Sequence, residues 1–464
     1  MQGHHHKPKH RPMPTHISAV EPTRQLMTGR AGLALLRVYL HQRGLMPLLE
    51  RVFRPFRSRR GYPLASLLSQ LLLYLMDGTR PCLRGLDEKR GDPGYARLIG
   101  VHLSQLISSH AVKRFFYRIP RAVAPALNAV LRRMFAARLQ RYAAERTRAG
   151  RPLRTVVLAM DSKVWKQPGA RVREGVCPTY RGVRGFHPLL VFWRGDVVAA
   201  CFRPGNAHTH RGDDARRLLE PLFATIRRVL GPGARIFVRA DAGFFDGQLF
   251  DWLAEQGVGF LIGGRWDKAT RQACARSRFV PLFDDGSVRV TATTFVQSRP
   301  RWSKPYRVIV TRTFRPGTQP PLLDLEPRSV FVLHRPGREP TAPLDLERWV
   351  RRYRRRGRDE LGFRALVDFW RESLPFKRFA ANQAFFFLLL LAFNLLRAFA
   401  EDSFEDPRLH RAYPTTLRRR LLDFAGRIVR RGRRWILKIP EPVYAALRLE
   451  RVWVRVHHVP VLLC

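Results

Sequence analysis

Hydrophobic residues recur at helical spacing through the first third of the chain. Residues 32–53 and 62–76 carry apolar positions three and four apart, and the second stretch is nearly apolar all round. Asp92 and Ser108 stand where helix N-caps are expected, and residues 120–151 have a helical, arginine-rich pattern. The pattern therefore predicts helices up to about residue 150, where Gly150 ends the run.

From residue 154 the pattern changes to short β-branched and aromatic runs. Residues 156–160, 187–192, 197–202, 236–238 and 258–262 are predicted strands, with helices after Asp213 and Asp246. The order is strand, strand, strand, helix, strand, helix, strand. This is the order of an RNase H-like fold, in which the first and fourth strands lie close together in a mixed sheet.

Three further segments complete the pattern. Residues 265–343 contain short strand patterns separated by proline and glycine, and helical patterns return at residues 345–370 and 378–400. A basic tail follows, with a predicted amphipathic helix that includes Leu417, Leu421, Ile428 and Val429. The predicted fold class is α/β: an RNase H-like mixed sheet with flanking helices, interrupted by a β-rich insertion and preceded by an all-helical N-terminal domain.

The charge balance restricts the class of partner. Lys and Arg number 85 and Asp and Glu 36, a formal net charge of +49. Because so much like charge repels itself, a polyanionic partner is expected, nucleic acid first and an anionic membrane second. The longest apolar run, residues 384–393, is shorter than the roughly 20 residues of a membrane span, so a buried core helix and no membrane partner are predicted.

Cysteine usage indicates the cellular compartment, and changes of pattern along the chain indicate the domain boundaries. The five cysteines are scattered with no C-x-x-C pair, which favours a reducing, cytoplasmic location and argues against structural zinc. The predicted segments are a basic flexible arm (1–20), a helical domain expected to bind nucleic acid (21–150), the first part of the RNase H-like core (151–264), the β-rich insertion (265–343), the second part of that core (344–400), and a basic C-terminal helical region (401–464).

Three acidic residues are the main candidates for chemistry. Asp161 and Asp241 each follow a predicted strand, at the edge where open α/β sheets bind ligands. Glu360 lies in a helical, arginine-rich stretch. Carboxylate oxygens suit hard divalent cations, and two such ions can activate water or a 3′-hydroxyl and neutralise charge at a phosphodiester. These acids are predicted to hold two divalent metal ions.

The arginines around Glu360 favour contact with phosphates over a merely solvated face, because they would otherwise repel one another. Tyr353, Arg356 and Glu360 are spaced to share one helix face. Lys113 and Arg114 lie on a basic helix that fits either a helix-turn-helix DNA reader or an ordinary helical bundle. His208, His210, Trp266 and Trp302 are weaker candidates. The arginines near Glu360 are Arg348, Arg351, Arg352, Arg354, Arg355, Arg356 and Arg358.

Several ordered motifs resemble a known family, the DDE transposases of bacterial insertion sequences, in the branch with a Y-x-x-R-x-x-x-E signature. The signature corresponds to Tyr353, Arg356 and Glu360, and L-A-M-D-S, R-P-G-N-A-H-T-H-R-G and V-R-A-D-A-G-F-F also look like that family's. The resemblance covers residues 150–400. It implies that Asp161, Asp241 and Glu360 form a catalytic triad that binds two Mg²⁺ ions, with Mn²⁺ as a substitute. It also implies a bacterial, nucleoid-associated location.

The same resemblance implies roles for the neighbouring cations. Tyr353 and Arg356 would contact phosphates of the transposon ends, together with Arg352. The branch often has a lysine seven residues after the glutamate, where this chain has Val367. Arg364, one turn after Glu360, would supply the missing charge.

The predicted function is thus cutting of insertion-sequence ends and joining of the 3′-hydroxyls to target DNA. The predicted partners are double-stranded DNA, as terminal inverted repeats and target, and a second copy of the chain in a homodimer on DNA. Two alternatives remain: a DNA-binding derivative without catalysis, and an RNase H-like nuclease that cuts without strand transfer.

Overall fold

The computed structural model describes residues 17, 19–58, 60–207, 213–314, 328–371, 374–459 and 461–462. Residues 358–360 are described as helical backbone only, without their side chains. His208 and His210, two of the weaker candidates, lie outside the described residues.

The amino-terminal region is a layer of helices preceded by one short strand. The predicted helical stretch 32–53 forms two helices, because Gly44 adopts a left-handed φ of 72° between them. Asp92 and Ser108 accept hydrogen bonds from the backbone N–H groups of Tyr95 (2.9 Å) and Ala111 (3.1 Å), which confirms both predicted N-caps. The elements are β1 (Leu26–Thr28), α1 (Leu33–Gln42), α2 (Leu45–Phe53), α3 (Leu64–Asp77), α4 (Gly85–Lys89), α5 (Pro93–Ile99), α6 (Ser109–Phe116) and α7 (Ala124–Arg148).

The central sheet contains the predicted strands in mixed orientation. It includes β2 (Thr155–Ser162), β6 (Leu189–Trp193), β7 (Asp196–Cys201), β8 (Arg235–Ala240) and β9 (Gly259–Gly263), in the spatial order β9-β8-β2-β6-β7. β8 runs parallel to both β2 and β9, whereas β6 is antiparallel to β2 and β7. The predicted first and fourth strands, β2 and β8, therefore lie side by side. Helices α8 (Asp214–Leu230) and α9 (Gly247–Glu255) connect strands, and β3 (Trp165–Lys166), β4 (Cys177–Pro178) and β5 (Arg184–Phe186) form a separate small sheet.

The segment predicted as a β-rich insertion continues the central sheet. Its last strand pairs antiparallel with β9, and the combined sheet has nine strands in the order β10-β11-β12-β13-β9-β8-β2-β6-β7. The long antiparallel strands bury β-branched residues such as Val308, Ile309 and Val310. The elements are α10 (Lys268–Ala275), β10 (Val280–Asp284), β11 (Arg289–Gln297), β12 (Tyr306–Phe314) and β13 (Arg328–His334).

Three helices follow, and the third lies at the centre of the molecule. They are α11 (Leu346–Arg354), α12 (Arg356–Trp370) and α13 (Phe379–Ser403). Among the described residues, α13 alone is long and apolar enough to cross a membrane, and 94% of its most apolar 18-residue window is buried. It packs against α3, α6, α7 and β7. The prediction of a buried core helix is confirmed.

Two asparagines cover the outer edge of the sheet at β7. The Asn394 side chain of α13 accepts from the Val197 N–H (3.0 Å) and donates to its carbonyl (2.7 Å). Asn128 of α7 makes the same pair of bonds with Ala200 (2.9 and 2.8 Å). Because an exposed edge strand invites pairing with other chains, these amides replace the missing strand and fix both helices to the sheet.

The carboxyl-terminal region differs from its prediction. The predicted amphipathic helix ends at Leu421, and Ile428 and Val429 lie on a strand instead. β-branched side chains favour a strand, and Gly426 packs closely against Ala31 and Leu437, where a side chain would not fit. This strand pairs with β1, so the N-terminal region is not all-helical. The elements are α14 (Pro414–Leu421), β14 (Gly426–Arg431), β15 (Arg434–Lys438), α15 (Glu441–Ala446) and α16 (Leu449–His457).

Candidate functional site

Two of the predicted acids lie at the same edge of the central sheet. Strands β2 and β8 are parallel, and Met160 is paired with Ala240. Asp161 is the next residue of β2 and Asp241 directly follows the end of β8, so the register places them side by side. Neighbouring strands are about 4.8 Å apart, which brings two carboxylates within reach of one shared cation.

Local hydrogen bonds orient the two carboxylates. Asp161 Oδ1 accepts from the Ser162 N–H (2.7 Å), and Asp241 Oδ1 accepts from the Gly243 N–H (2.9 Å). Both aspartates are partly exposed. At the end of β9, a Cβ on Gly263 would lie 2.8 Å from the Asp241 carbonyl carbon. Glycine there lets the loop after β8 lie close against the sheet, which fixes the position of Asp241.

Helix α11 lies across the sheet and ends beside Asp241. Asp345 caps its start by accepting from the Arg348 N–H (2.9 Å). Trp349 packs on Phe237 of β8, with ring centroids 5.5 Å apart. Arg239 of β8 donates from Nη1 to the Arg352 carbonyl (3.0 Å), in the last turn of the helix where carbonyls lack helical partners. A strand residue thus holds the end of α11 in place.

Tyr353 and Arg356 meet at this end of the helix. The Tyr353 ring stacks on Phe331 of β13 with centroids 4.2 Å apart and planes at 13°, and the residue is 9% exposed. Burial raises the pKa of Tyr353, the Arg356 guanidinium bonded to its hydroxyl opposes the rise, and the Asp241 carboxylate adds to it. The hydroxyl is therefore bonded to Arg356 and lies within electrostatic range of the Asp241 carboxylate.

Glu360 lies on α12, one helical turn after Arg356. The helix is not continuous with α11, since the two are separated at Arg355. The predicted shared face therefore crosses a helix boundary, although the Tyr353–Arg356 contact forms across it. The Glu360 side chain is outside the described part of the structure.

The predicted arginine surface is divided between structural and exposed groups. Arg351 pairs with Glu347 (2.6 Å) and lies 3.9 Å from the Phe283 ring centroid. Arg352 lies over the Trp349 ring (4.7 Å). Burial lowers the pKa of Arg352, and the nearby cations Arg348, Arg355 and Arg235 lower it further. The crowding of guanidinium groups makes this end of α11 strongly electropositive.

The other predicted DNA contacts lie on two further helices. Arg364 is exposed on α12, while Val367 packs against the main hydrophobic core. Lys113 and Arg114 are exposed on α6, whose Phe116 packs on Phe376 (5.1 Å). α6 is thus a helix docked on the central layer with its cations toward solvent, an arrangement compatible with either predicted role.

The two tryptophan candidates are largely committed to packing. Trp302 packs edge-on or tilted against Phe245, Phe250 and Tyr306, at centroid distances of 5.9, 5.7 and 5.4 Å. Arg328 lies 4.7 Å from the Trp266 ring centroid. Both rings are only partly exposed, so neither offers a full face for stacking on an unpaired base.

Comparison with known families decides the class of the protein. The sequence model of a family described as transposase DDE domain group 1 matches residues 19–461, nearly the whole chain. The chain belongs to this family. It is therefore a DNA transposase by family, in a class of enzymes that cut and transfer polynucleotide strands.

Two further comparisons complete the picture of this DDE transposase. The search of curated proteins finds no match. Among solved structures, the chain is similar to one titled "Cryo-EM structure of piggyBac transposase synaptic complex with hairpin DNA (SNHP)". The TM-score is 0.39 at 10% identity, over 86% of this chain and 83% of that chain.

The donor chemistry of the site fits the divalent metal that the family implies. Asp161 and Asp241 offer oxygen ligands in register at one sheet edge, and hard cations prefer such ligands. Among the side chains that the structure describes, no group of three His, Cys, Asp or Glu residues comes together. A third ligand would have to come from another residue. Glu360 is the predicted one, and its backbone lies on α12, the helix that begins at Arg356.

Arg239 and Phe331 were missed in the sequence analysis. Arg239 carries a signal, because a charged residue interrupts the apolar run I-F-V-R-A of a buried strand. Phe331 carries none, since it stands inside the apolar run V-F-V-L of its strand and the stacking partner Tyr353 is on another element.

Proposed function

We propose that this DDE transposase cuts the ends of an insertion sequence and joins the released 3′-hydroxyls to target DNA. Asp161, Asp241 and Glu360 would hold two Mg²⁺ ions in an RNase H-like core, acting on paired DNA ends as a homodimer. The observation that supports this best is the in-register position of Asp161 and Asp241 on parallel strands, with Tyr353 and Arg356 beside Asp241.

The strand order supports the RNase H-like assignment. Counted toward the edge strand β7, the five strands run β9-β8-β2-β6-β7. Strand β2 is parallel to β8 on one side and antiparallel to β6 on the other. This is the arrangement in which the first and fourth strands place their carboxyl ends together. The strands β10–β13 extend the sheet on the side away from β7 and provide Phe331 as a platform for Tyr353.

The protein's own groups would bind and orient the phosphodiester. When bound, the metal ions stabilise charge on the transferring phosphate and lower the pKa of the attacking water or 3′-hydroxyl. The planar guanidinium of Arg356 suits bidentate binding of phosphate oxygens. The raised pKa keeps the Tyr353 hydroxyl protonated, so it can donate to a phosphate oxygen. Arg352, Arg364, Lys113 and Arg114 would extend the phosphate-binding surface.

Asp161→Asn tests the assignment of the acids. The purified chain would be incubated with labelled duplexes that carry an element end, in Mg²⁺. We expect cleavage to fall at least about 100-fold, because the amide is a poor ligand for a hard cation, while end binding is retained. Asp246→Asn is the matched control: Asp246 caps α9 through the Gln248 N–H (3.0 Å) and is not assigned to the metal site.

The products of the same assay separate the alternatives. Joined products support a transposase, whereas nicked products alone indicate a nuclease without strand transfer. If the unaltered chain binds ends but does not cleave them, in Mg²⁺ or in Mn²⁺, it is an inactive derivative. A weak argument for this alternative is that Val367, packed against the main core, stands where the branch often has a lysine. Mg²⁺-dependent cleavage by Asp161→Asn at the unaltered rate would exclude the assignment of Asp161.

A further inference from the structure

The β14–β15 hairpin projects from the body of the protein. Its base is fixed: Ile428 is 7% exposed, Leu437 packs on the main core, and β14 pairs with β1. Exposure increases toward the turn, so Arg430 and Arg431 on one strand and Arg434 and Trp435 on the other are exposed. The outer half of the hairpin is therefore a rigid two-stranded ribbon in solvent.

The turn of this ribbon is a concentration of positive charge. Arg431 and Arg434 are directly opposite each other across the strands, and Arg433 lies in the two-residue turn beside Gly432. Like charges opposite each other destabilise a strand pair. Within the part of the chain that the structure describes, these three guanidinium groups form no ion pair. Residues 424–440 contain no acid and six cations: Arg427, Arg430, Arg431, Arg433, Arg434 and Lys438.

An aromatic residue flanks the charged turn. Trp435 is 47% exposed and is paired with Arg430 across the strands. Arg97 of α5 lies 4.4 Å from its ring centroid, which adds a further cation and connects the ribbon to the helical layer. The exposed ribbon thus has guanidinium groups at its turn and, on its side, the Trp435 ring in a cation–π contact with Arg97.

We propose that the β14–β15 turn enters a groove of the duplex DNA that the transposase acts on. The inference rests on the proposed function, since it takes DNA as the partner. A two-stranded β-ribbon fits the major groove, which is about 12 Å wide. Arginine binds phosphates and guanine edges bidentately, and a polyanion relieves the repulsion between Arg431 and Arg434.

The helix that precedes the hairpin, α14, is bonded to the helix that carries Glu360. Thr415 of α14 donates from its N–H and its hydroxyl to Asp368 of α12, each at 2.8 Å. Arg418 of α14 donates to the Phe369 carbonyl (3.0 Å). Asp368 is eight residues after Glu360, about 12 Å of helix. In this proposal one duplex contacts both the acids and the ribbon, and the ribbon contact lies several base pairs from the cleaved bond.

The test is the salt dependence of binding to an element-end duplex, in EDTA so that no cleavage occurs. For the double variant Arg431→Ser/Arg433→Ser, two lost phosphate contacts reduce the slope of log K against log salt by about 1.8 and weaken binding by roughly 30-fold at 0.15 M salt. Arg148→Ser/Arg151→Ser is the control. It removes the same charge from exposed positions at and just after the end of α7 and is expected to change binding little.

Hydroxyl-radical footprinting adds a positional readout. The unaltered chain should protect a patch several base pairs from the cleavage position, and the Arg431/Arg433 variant should lose that patch alone. Arg431→Lys/Arg433→Lys covers the case in which the serine variant is misfolded. Lysine keeps the charge and the slope, and loss of bidentate contacts should still reduce protection of that patch.

Three results would overturn the inference. Equal losses in the hairpin variant and the Arg148/Arg151 control would show a general charge effect. Unchanged DNA binding by the hairpin variant would show that the ribbon does not contact DNA, and weakened binding to phosphatidylserine vesicles would then indicate a membrane contact instead. If the unaltered chain binds no duplex DNA, the proposed function fails and this inference fails with it. Failure of the hairpin variant alone to change binding leaves the proposed function intact.

Discussion

At the scale of single residues, Tyr353 links three parts of the site. Its ring stacks on Phe331 of the extended sheet, and its hydroxyl is bonded to Arg356 within electrostatic range of the Asp241 carboxylate. The ring therefore has a structural role, and the role proposed for the hydroxyl is a chemical one. The two roles can be separated, because phenylalanine keeps the ring and removes only the oxygen.

For Tyr353→Phe we expect DNA cleavage to fall roughly 10–100-fold, as a donor to the phosphate is lost. The midpoint of thermal unfolding should shift little, because the stack on Phe331 remains and a single hydrogen bond contributes about 1 kcal/mol. Single-turnover cleavage and calorimetry measure the two effects. Tyr444→Phe, at an exposed position on α15, is the control. An unchanged cleavage rate would remove the hydroxyl from the chemistry.

The sequence predicts some of these residues and not others. Asp161 and Asp241 follow short apolar strands, and a strand end is a local pattern. The contact of Tyr353 with Arg356 is also local, three residues apart. The stack on Phe331 and the bond from Arg239 to the Arg352 carbonyl join elements that are distant in the chain, and no local pattern specifies them.

At the scale of elements, the position of α11 depends on β8. Arg239 binds the carboxyl-terminal turn of α11, and Phe237 packs against Trp349. Because Tyr353 is in that same turn, any loosening of it moves the hydroxyl away from Asp241. The contacts of Arg239 and Phe237 thus hold the carboxyl-terminal end of α11 against β8.

Arg239→Met keeps the aliphatic stem and removes the hydrogen bond. We expect faster amide hydrogen exchange in α11, a loss of about 1 kcal/mol in the free energy of unfolding, and slower cleavage with unchanged DNA affinity. Mass spectrometry of exchange in peptides that span residues 346–354 measures the effect. Exchange at the unaltered rate in α11 would show that packing of Trp349 alone positions the helix.

His334, at the end of β13, makes a pH-dependent contribution. Burial lowers its pKa to about 4, and Lys304 adds to the effect. The ring contacts Phe260 (5.4 Å) and Tyr306 (5.8 Å). As pH falls below about 6.5, the unfolded chain binds a proton at His334 that the folded chain does not, until pH reaches about 4. Stability conferred by neutral His334 is therefore lost across this window.

The expected loss is about 1–2 kcal/mol, after allowing for partial exposure of the ring. His334→Phe should remove this part of the pH dependence, while His110→Phe, at an exposed position on α6, should leave it unchanged. Urea unfolding at pH 7 and pH 4.5 gives the comparison. Identical pH dependence in the natural chain and His334→Phe would contradict the assignment.

The C-terminal hairpin shows where pattern analysis fails at this scale. Leu417 and Leu421 have helical spacing and do form a helix, but Ile428 and Val429 belong to a new element. Gly426 marks the change, and β1, some 400 residues earlier, supplies the strand partner. A partner so distant in sequence leaves no periodic signal.

At the scale of the whole molecule, a buried ionic network joins the helical layer to the sheet. Asp196 of β7 is 3% exposed and accepts from Arg397 Nε of α13 (2.9 Å) and pairs with Arg138 of α7. Arg138 also pairs with Glu401. One carboxylate thus fixes two helices to the edge strand, near the asparagine bonds to Val197 and Ala200.

Asp196→Asn leaves the buried Arg397 without its carboxylate and Arg138 with Glu401 as its remaining acidic partner. We expect the free energy of unfolding to fall by about 3–5 kcal/mol, the usual effect of leaving buried charges uncompensated. Asp284→Asn breaks an exposed pair with Arg289 (2.9 Å) and should leave the unfolding midpoint almost unchanged. Chemical denaturation measures both. Equal effects of the two substitutions would mean that the buried network does not stabilise the fold.

The central position of α13 also bears on how the protein is made. Translation delivers the strands with Asp161 and Asp241 long before Phe379 leaves the ribosome, so their covering layer arrives late. Until then the apolar faces that α13 will fill, including Phe116 and the β7 side of the sheet, stay open to chaperones and proteases. A prematurely stopped chain would be cleared or would aggregate, and would not persist as a fragment that blocks the ends of the element.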